Sequence, residues 1–130
     1  MSSTSEAITR GLRVRVTARF IEQDSSPEDL RWLFGYLVCI INEGEQATQL
    51  VSRHWEITDS HGAVQTVRGP GVIGEQPRLE PGESFTYTSA CPLTTPVGSM
   101  HGSFSMRDDD GESWDAKVAP FTLSTPFALN

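Results

Sequence analysis

Apolar and polar positions alternate with period two along most of this chain. Leu12, Val14, Val16, Ala18 and Phe20 alternate with Arg13, Arg15, Thr17 and Arg19. Successive strand side chains point to opposite faces, so this run predicts a strand with one buried and one wet face; helical spacing would carry the arginines into the core. Residues 31–42 are apolar in both registers, with Trp32, Phe34, Tyr36, Val38 and Ile40 in one and Leu33, Gly35, Leu37, Cys39 and Ile41 in the other. That pattern predicts a central strand with core on one face and a covered surface or an interface on the other. Further strands are expected at residues 47–59, 63–67, 85–89, 100–106 and 113–118, with Phe121 and Leu123 closing the domain beyond Pro120. Asp110-Gly111 is a hairpin signal between two of them.

Turn residues divide these runs. Residues 23–29, 42–45 and 59–62 are polar, residues 68–81 are rich in Gly and Pro and are expected to be irregular, and Cys91-Pro92 opens an expected loop that reaches Gly98. The count is about seven short antiparallel strands without a helix, which predicts an all-β fold, a sandwich of fibronectin type III or immunoglobulin type, with a small barrel as the alternative. Residues 1–11 are expected to be a flexible lead-in and residues 12–130 a single domain. The tail from Pro126 is expected to dock on the surface.

The chain has 130 residues, the size of one ordinary domain. Such a domain buries roughly two-thirds of its unfolded surface and needs no disulfide or metal to fold. A net charge of −7 would repel a phosphate backbone, so no nucleic acid is expected as a partner. Arg10, Arg13, Arg15 and Arg19 crowd one segment; the solvated face of a strand explains them, and an anion-binding stripe is the sharper alternative. The longest apolar run, residues 33–41, is far short of the roughly 20 residues that span a bilayer. The opening Met1-Ser2-Ser3-Thr4-Ser5-Glu6 has no secretory signal pattern, so a cytoplasmic setting with reduced Cys39 and Cys91 is expected.

Gly69, Gly71 and Gly74 spell G-x-G-x-x-G. A dinucleotide site needs a helix to spring from that motif, and Pro77 comes too early for one. A loop of positive backbone angles is the structural reading. Its successive N–H groups, bracketed by Arg68 and Arg78, are a candidate anion nest. Arg53 and His54 are candidate interaction residues; Trp55 shares its face with Ile57 and is expected in the core. His54, His61 and His101 have no local ligand spacing, and Asp108-Asp109-Asp110-Gly111 lacks the spacing of a calcium loop, so no metal site is expected. No nucleophile elbow is present, and no catalytic residue is assigned. Cys39, Trp55 and Cys91 follow the order of an immunoglobulin disulfide frame, but Ser89 stands where the accompanying Tyr belongs, and the bridge is not expected.

The segments Leu50-Val51-Ser52-Arg53-His54-Trp55-Glu56-Ile57-Thr58-Asp59 and Gly69-Pro70-Gly71-Val72-Ile73-Gly74-Glu75-Gln76-Pro77 resemble the signature of the ApaG family, also called CorD. Leu79-Glu80-Pro81-Gly82, Phe85-Thr86-Tyr87-Thr88-Ser89, Thr94-Thr95-Pro96-Val97-Gly98-Ser99-Met100-His101-Gly102 and Pro120-Phe121 extend the resemblance from Leu12 to the C-terminus. It implies a fibronectin-III-like sandwich without an established enzymatic activity, a link to cobalt resistance and magnesium efflux, and protein binding where such domains are appended to larger chains. It also places a proposed pyrophosphate contact on Gly69, Gly71 and Gly74. The expectation is a non-catalytic binding domain without a cofactor, for a protein partner or a small phosphorylated ligand. A nucleotide- or pyrophosphate-acting enzyme and a direct divalent-metal sensor are the alternatives. A homodimer through sheet edges is a further option.

Overall fold

In the computed structural model, which describes residues 2–126, the period-two segments become nine strands among the described residues. They are β1 (Ser2–Thr9), β2 (Leu12–Phe20), β3 (Trp32–Asn42), β4 (Thr48–Asp59), β5 (Val64–Pro70), β6 (Arg78–Leu79), β7 (Ser84–Leu93), β8 (Val97–Asp108) and β9 (Ser113–Ser124). The first sheet has the order β1-β2-β3-β7 and the second β5-β4-β8-β9, with β6 also on β4; every pairing is antiparallel. The fold is a β-sandwich of the fibronectin-III and immunoglobulin type, with nine strands in place of about seven. No helix among the described residues is long and apolar enough to cross a membrane.

The lead-in expected before Gly11 is instead strand β1, paired with β2 from Ser2↔Arg19 to Thr9↔Leu12. Its alternation is one of hydroxyls rather than hydrophobes, which hid it. Ser3 and Ser5 face β9: Thr122 N–H donates to Ser3 Oγ at 3.0 Å and Ser5 Oγ donates to Ala119 O at 2.9 Å, while Lys117 N–H donates to Thr9 Oγ1 at 3.1 Å. These bonds satisfy backbone groups on the outer edge of β9 and join the two sheets along one side. The other face of β1 offers Glu6 to the arginine row, where Arg13 and Arg15 both pair with it and Arg13 also reaches Glu43.

Three prolines expected to lie in breaks of the strand pattern lie in strands. Pro70 closes β5 and Pro92 lies within β7, both edge strands, where a missing N–H is tolerated. Cys91-Pro92 is therefore strand rather than loop. Pro120 sits in β9 where the register with β8 shifts, since Met100 faces Phe121 but Gly102 faces Val118. The bulge absorbs it. The tail beyond Pro126 lies outside the described residues.

Between the sheets Trp55 is the hub. Tyr36 of the first sheet and Phe104 and Phe121 of the second lie 5.7, 5.9 and 6.0 Å from its ring, all edge-on. Such pairs add about 0.5–1.5 kcal/mol each beyond burial. Cys39 and Cys91 lie on neighbouring strands but on opposite faces of the first sheet, Cys39 half-exposed outside and Cys91 buried inside, so they cannot bridge. Both are free.

Candidate functional site

Strand β4 organises the region that the sequence singles out. Its register with β8 shifts between Leu50 and Ser52, leaving Val51 as an extra residue. The freed Val51 carbonyl accepts from Gly71 N–H and from Gln76 Nε2, both at 2.8 Å. Arg53 Nη1 donates to Pro70 O at 3.1 Å and Gly71 O at 3.0 Å, and Gln49 Nε2 donates to Gln76 O at 2.9 Å. The glycine-rich connection is thus clamped on β4 from Pro70 to Gln76, with Val72 driven into the core at 1% exposure.

Each glycine answers a different demand. Gly69 is within strand β5, and a Cβ there would lie 2.9 Å from the Arg53 guanidinium that rests on it. Gly71 has φ +61° and a Cβ would meet Glu75 O at 2.3 Å. Gly74, at φ +79°, has open space around it and needs only the backbone angle. Val72 and Glu75 exchange both backbone hydrogen bonds at 2.8 Å, closing a two-residue hairpin over Ile73 (φ 44°) and Gly74. A tight hairpin follows the motif, and no helix does. The N–H groups of Gly71, Val72 and Glu75 are consumed by carbonyls, which leaves those of Ile73 and Gly74 at the tip.

The two arginines expected to bracket the loop do not converge on it. Arg78 is held by Glu80, with Nη1 donating at 2.7 Å, and by Asp109, with Nε donating at 3.0 Å. Arg68 projects from the outer face of the second sheet, where its register partner is His54. Arg53 and His54 are consecutive and therefore face opposite sides: Arg53 lies inward with Trp55, His54 outward with Glu56.

The outer face brings Arg68 and His54 together over a polar floor. His54 faces Ser103 on β8, which faces Lys117 on β9, and Ser52 faces Ser105, which faces Asp115. Ser52, Arg53, His54, Arg68, Gly69, Ser103, Ser105 and Asp115 line a hollow there. Glu56 orients His54 through a 2.7 Å contact between Oε1 and Nε2, and its Oε2 accepts from Thr66 Oγ1 at 2.9 Å. The His54 contact, followed by the Thr66 bond, holds the Glu56 carboxyl below the usual carboxylate range. Arg68 and Lys117 form no ion pair among the described residues, whereas Arg10, Arg13, Arg15 and Arg78 all do. The serines were missed in sequence because small hydroxyls on a wet strand face carry no signal until the register aligns them; the alternation of Ser103 and Ser105 with Phe104 and Met106 is the trace they leave.

The Asp110-Gly111 signal is a turn between β8 and β9, with Gly111 at φ 88°. Asp108, Asp110 and Glu112 bring carboxylate oxygens within 4.8 Å of one another there. Each has a local partner: Trp114 Nε1 donates to Asp108 at 2.8 Å, Glu112 N–H to Asp110 at 2.9 Å, and Arg10 pairs with Glu112 at 3.4 Å. His61 lies in the turn after β4, and His101 faces Glu56 across β8.

Comparison with known proteins matches the ApaG domain model over residues 22–108. Protein ApaG of Methylobacterium radiotolerans is 54% identical over 121 residues, 93% of each chain. Protein ApaG of Anaeromyxobacter dehalogenans is 51% identical over 126 residues, covering 97% of this chain and 99% of its own. A crystal structure of a protein described as ApaA from Bordetella pertussis superposes with a TM-score of 0.87 at 44% identity, covering 90% of this chain and 95% of its own.

Proposed function

The chain belongs to the ApaG family, and from that premise we propose that it is a non-catalytic binding domain whose contact surface is the outer face of β4, β5 and β8, around His54 and Arg68. The observation that carries this reading is the pairing of His54 with an Arg68 that has no carboxylate partner among the described residues, above the hydroxyls of Ser52, Ser103 and Ser105. A guanidinium, an imidazole and three hydroxyls suit a phosphorylated small ligand or a phosphate-bearing or acidic protein surface. Asp115 on the rim favours an anion that also offers a hydroxyl or ammonium toward it. The Arg68 to Arg78 connection supports this surface from below, clamped on β4.

Binding without chemistry also fits the nucleophile inventory. Cys91 is buried, and burial pushes its thiol up to about 11, away from the thiolate that attack requires. Calorimetry with nucleotides and pyrophosphate, together with a pull-down from native cytosol, tests the reading. Arg68→Ala is expected to weaken capture about tenfold or more, as loss of a charge-assisted contact does. A panel without heat and a capture that Arg68→Ala leaves unchanged would remove it.

A further inference from the structure

The edge strands β1, β7, β5 and β9 are not protected alike. An edge strand offers unpaired N–H and C=O groups to any other strand, and charges, prolines or covering side chains normally guard it. The outer edge of β9 is covered by Ser3, Ser5 and Thr9 of β1. β1 itself carries Glu6, and β5 carries Arg68 and closes on Pro70. β7 runs from Ser84 to Leu93 without a charged side chain and has only Pro92 near its end. Ser84, Thr86, Thr88, Ala90 and Pro92 are all exposed.

The direction of the free backbone groups follows from β3. Ile21 N–H donates to Leu33 O at 2.8 Å and Leu33 N–H donates to Ser25 Oγ at 2.9 Å, so Leu33 bonds away from β7. Bonding direction alternates along an antiparallel strand. Phe34, Tyr36, Val38 and Ile40 therefore bond toward β7, where they face Cys91, Ser89, Tyr87 and Phe85. The N–H and C=O groups of Thr86, Thr88 and Ala90 are left pointing out of the sheet, into the flank between β7 and β5. No other backbone group bonds them among the described residues. Pro92 shares their register, so its missing N–H takes no bond from β3. At one end of this flank a hollow of about 200 Å³ is lined by Ile57, Asp59, Val64, Gln65, Pro92 and Leu93, with Ala63 and Thr94. Ile57 and Leu93 are buried and Val64 is 60% exposed, which gives the hollow an apolar base and an uncovered apolar rim.

We propose that the β7 edge receives an extended segment of another protein as an added strand of the first sheet, with one apolar side chain of that segment seated in the hollow. Strand addition takes its affinity from main-chain hydrogen bonds and its specificity from pockets for alternate side chains, and the free groups of Thr86, Thr88 and Ala90 and the hollow beside Leu93 supply one of each. Charge selects the class of segment. Asp59 is the charged side chain of the hollow, its Oδ1 accepting from His61 N–H at 2.8 Å and Ala63 N–H at 3.0 Å, and the whole chain carries −7. A segment with acidic side chains is repelled, and one with a lysine or arginine near its apolar anchor is favoured. The same −7 sets two copies of this chain against each other, which points to a different protein as the occupant. The hollow shares no residue with the one around His54 and Arg68.

Amide hydrogen exchange and magnetic resonance titration of the full chain test it. The probe is a capped peptide of about seven residues, near the length of an ordinary strand, that alternates valine and threonine between terminal lysines. In the free chain the Thr86, Thr88 and Ala90 amides should exchange readily while those of Tyr87 and Ser89 are protected. The peptide should shift and protect the first three together, and move the Val64 methyl signals on the same saturating curve. The same peptide N-methylated at every residue keeps its side chains and loses its donors, and it should bind about tenfold or more weakly. Thr88→Pro removes the central free N–H and no bond to β3, so it should weaken binding to a similar degree while the melting temperature stays close to that of the parent. Arg68→Ala should leave the curve intact. Equal affinity for the methylated peptide, no saturation by the plain one, or free-chain amides that are already protected overturns the proposal. Protection that rises with protein concentration in the absence of peptide overturns it as well, because a second copy would then hold the edge.

Discussion

At the scale of single residues, the triple-glycine stretch separates into backbone angle, steric clearance and a seat for a guanidinium. This separation is measurable. Gly74→Ala should cost about 1–2 kcal/mol, the penalty of a left-handed angle for an L-residue. Gly71→Ala should cost roughly 3 kcal/mol or more, because its Cβ also displaces the Glu75 carbonyl that closes the hairpin. Urea unfolding of the two variants checks the order; equal losses would refute the steric account. The positive angles were legible in the sequence, since glycines in a Pro-rich break need little else. The clamp was not: period two from Trp55 places Arg53 on the inner face, but nothing announces the two carbonyls it holds, because the seat of the glycine connection follows from the bulge at Val51, and a bulge is invisible to period-two counting.

Among the elements, β2 and the β8–β9 hairpin were readable because their apolar alternation is strict and Asp110-Gly111 marks the turn, and β3 because it is apolar in both registers. β1 was not readable. Its Ser3, Ser5 and Thr9 serve as donors and acceptors to a neighbouring backbone, and propensity arguments treat such residues as loop formers. Pro92 and Pro120 misled for the related reason that edges and bulges excuse a missing N–H. Removing residues 1–9 is therefore expected to damage the fold rather than trim it. The three hydroxyl bonds alone amount to about 3 kcal/mol at the usual net value, and the outer edge of β9 is bared as well. A melting temperature unchanged by the truncation, with a monomeric elution profile, would contradict this.

Across the whole molecule, the two faces of the first sheet make the free cysteines unequal. Cys39 is half-exposed outside, while Cys91 is 4% exposed inside with a thiol that burial renders unreactive. A thiol reagent at mildly alkaline pH should label one equivalent rapidly and the second only as denaturant opens the sandwich; two rapid equivalents would show that the sheets part readily. The sandwich itself was legible because strand number and turn spacing leave few alternatives. The surface around His54 and Arg68 was legible in its residues but not in its extent, since its serines come from strands about 50 residues apart in sequence that register alone brings together.

The seam between β1 and β9 joins the first of the described strands with the last. Thr122 reaches back to Ser3 across 119 positions. A ribosome releases β1 into solution long before its cover exists, so closure of that flank waits until β9 has emerged. Until then, the outward edge of β1 is open to a chaperone or to a wrong strand.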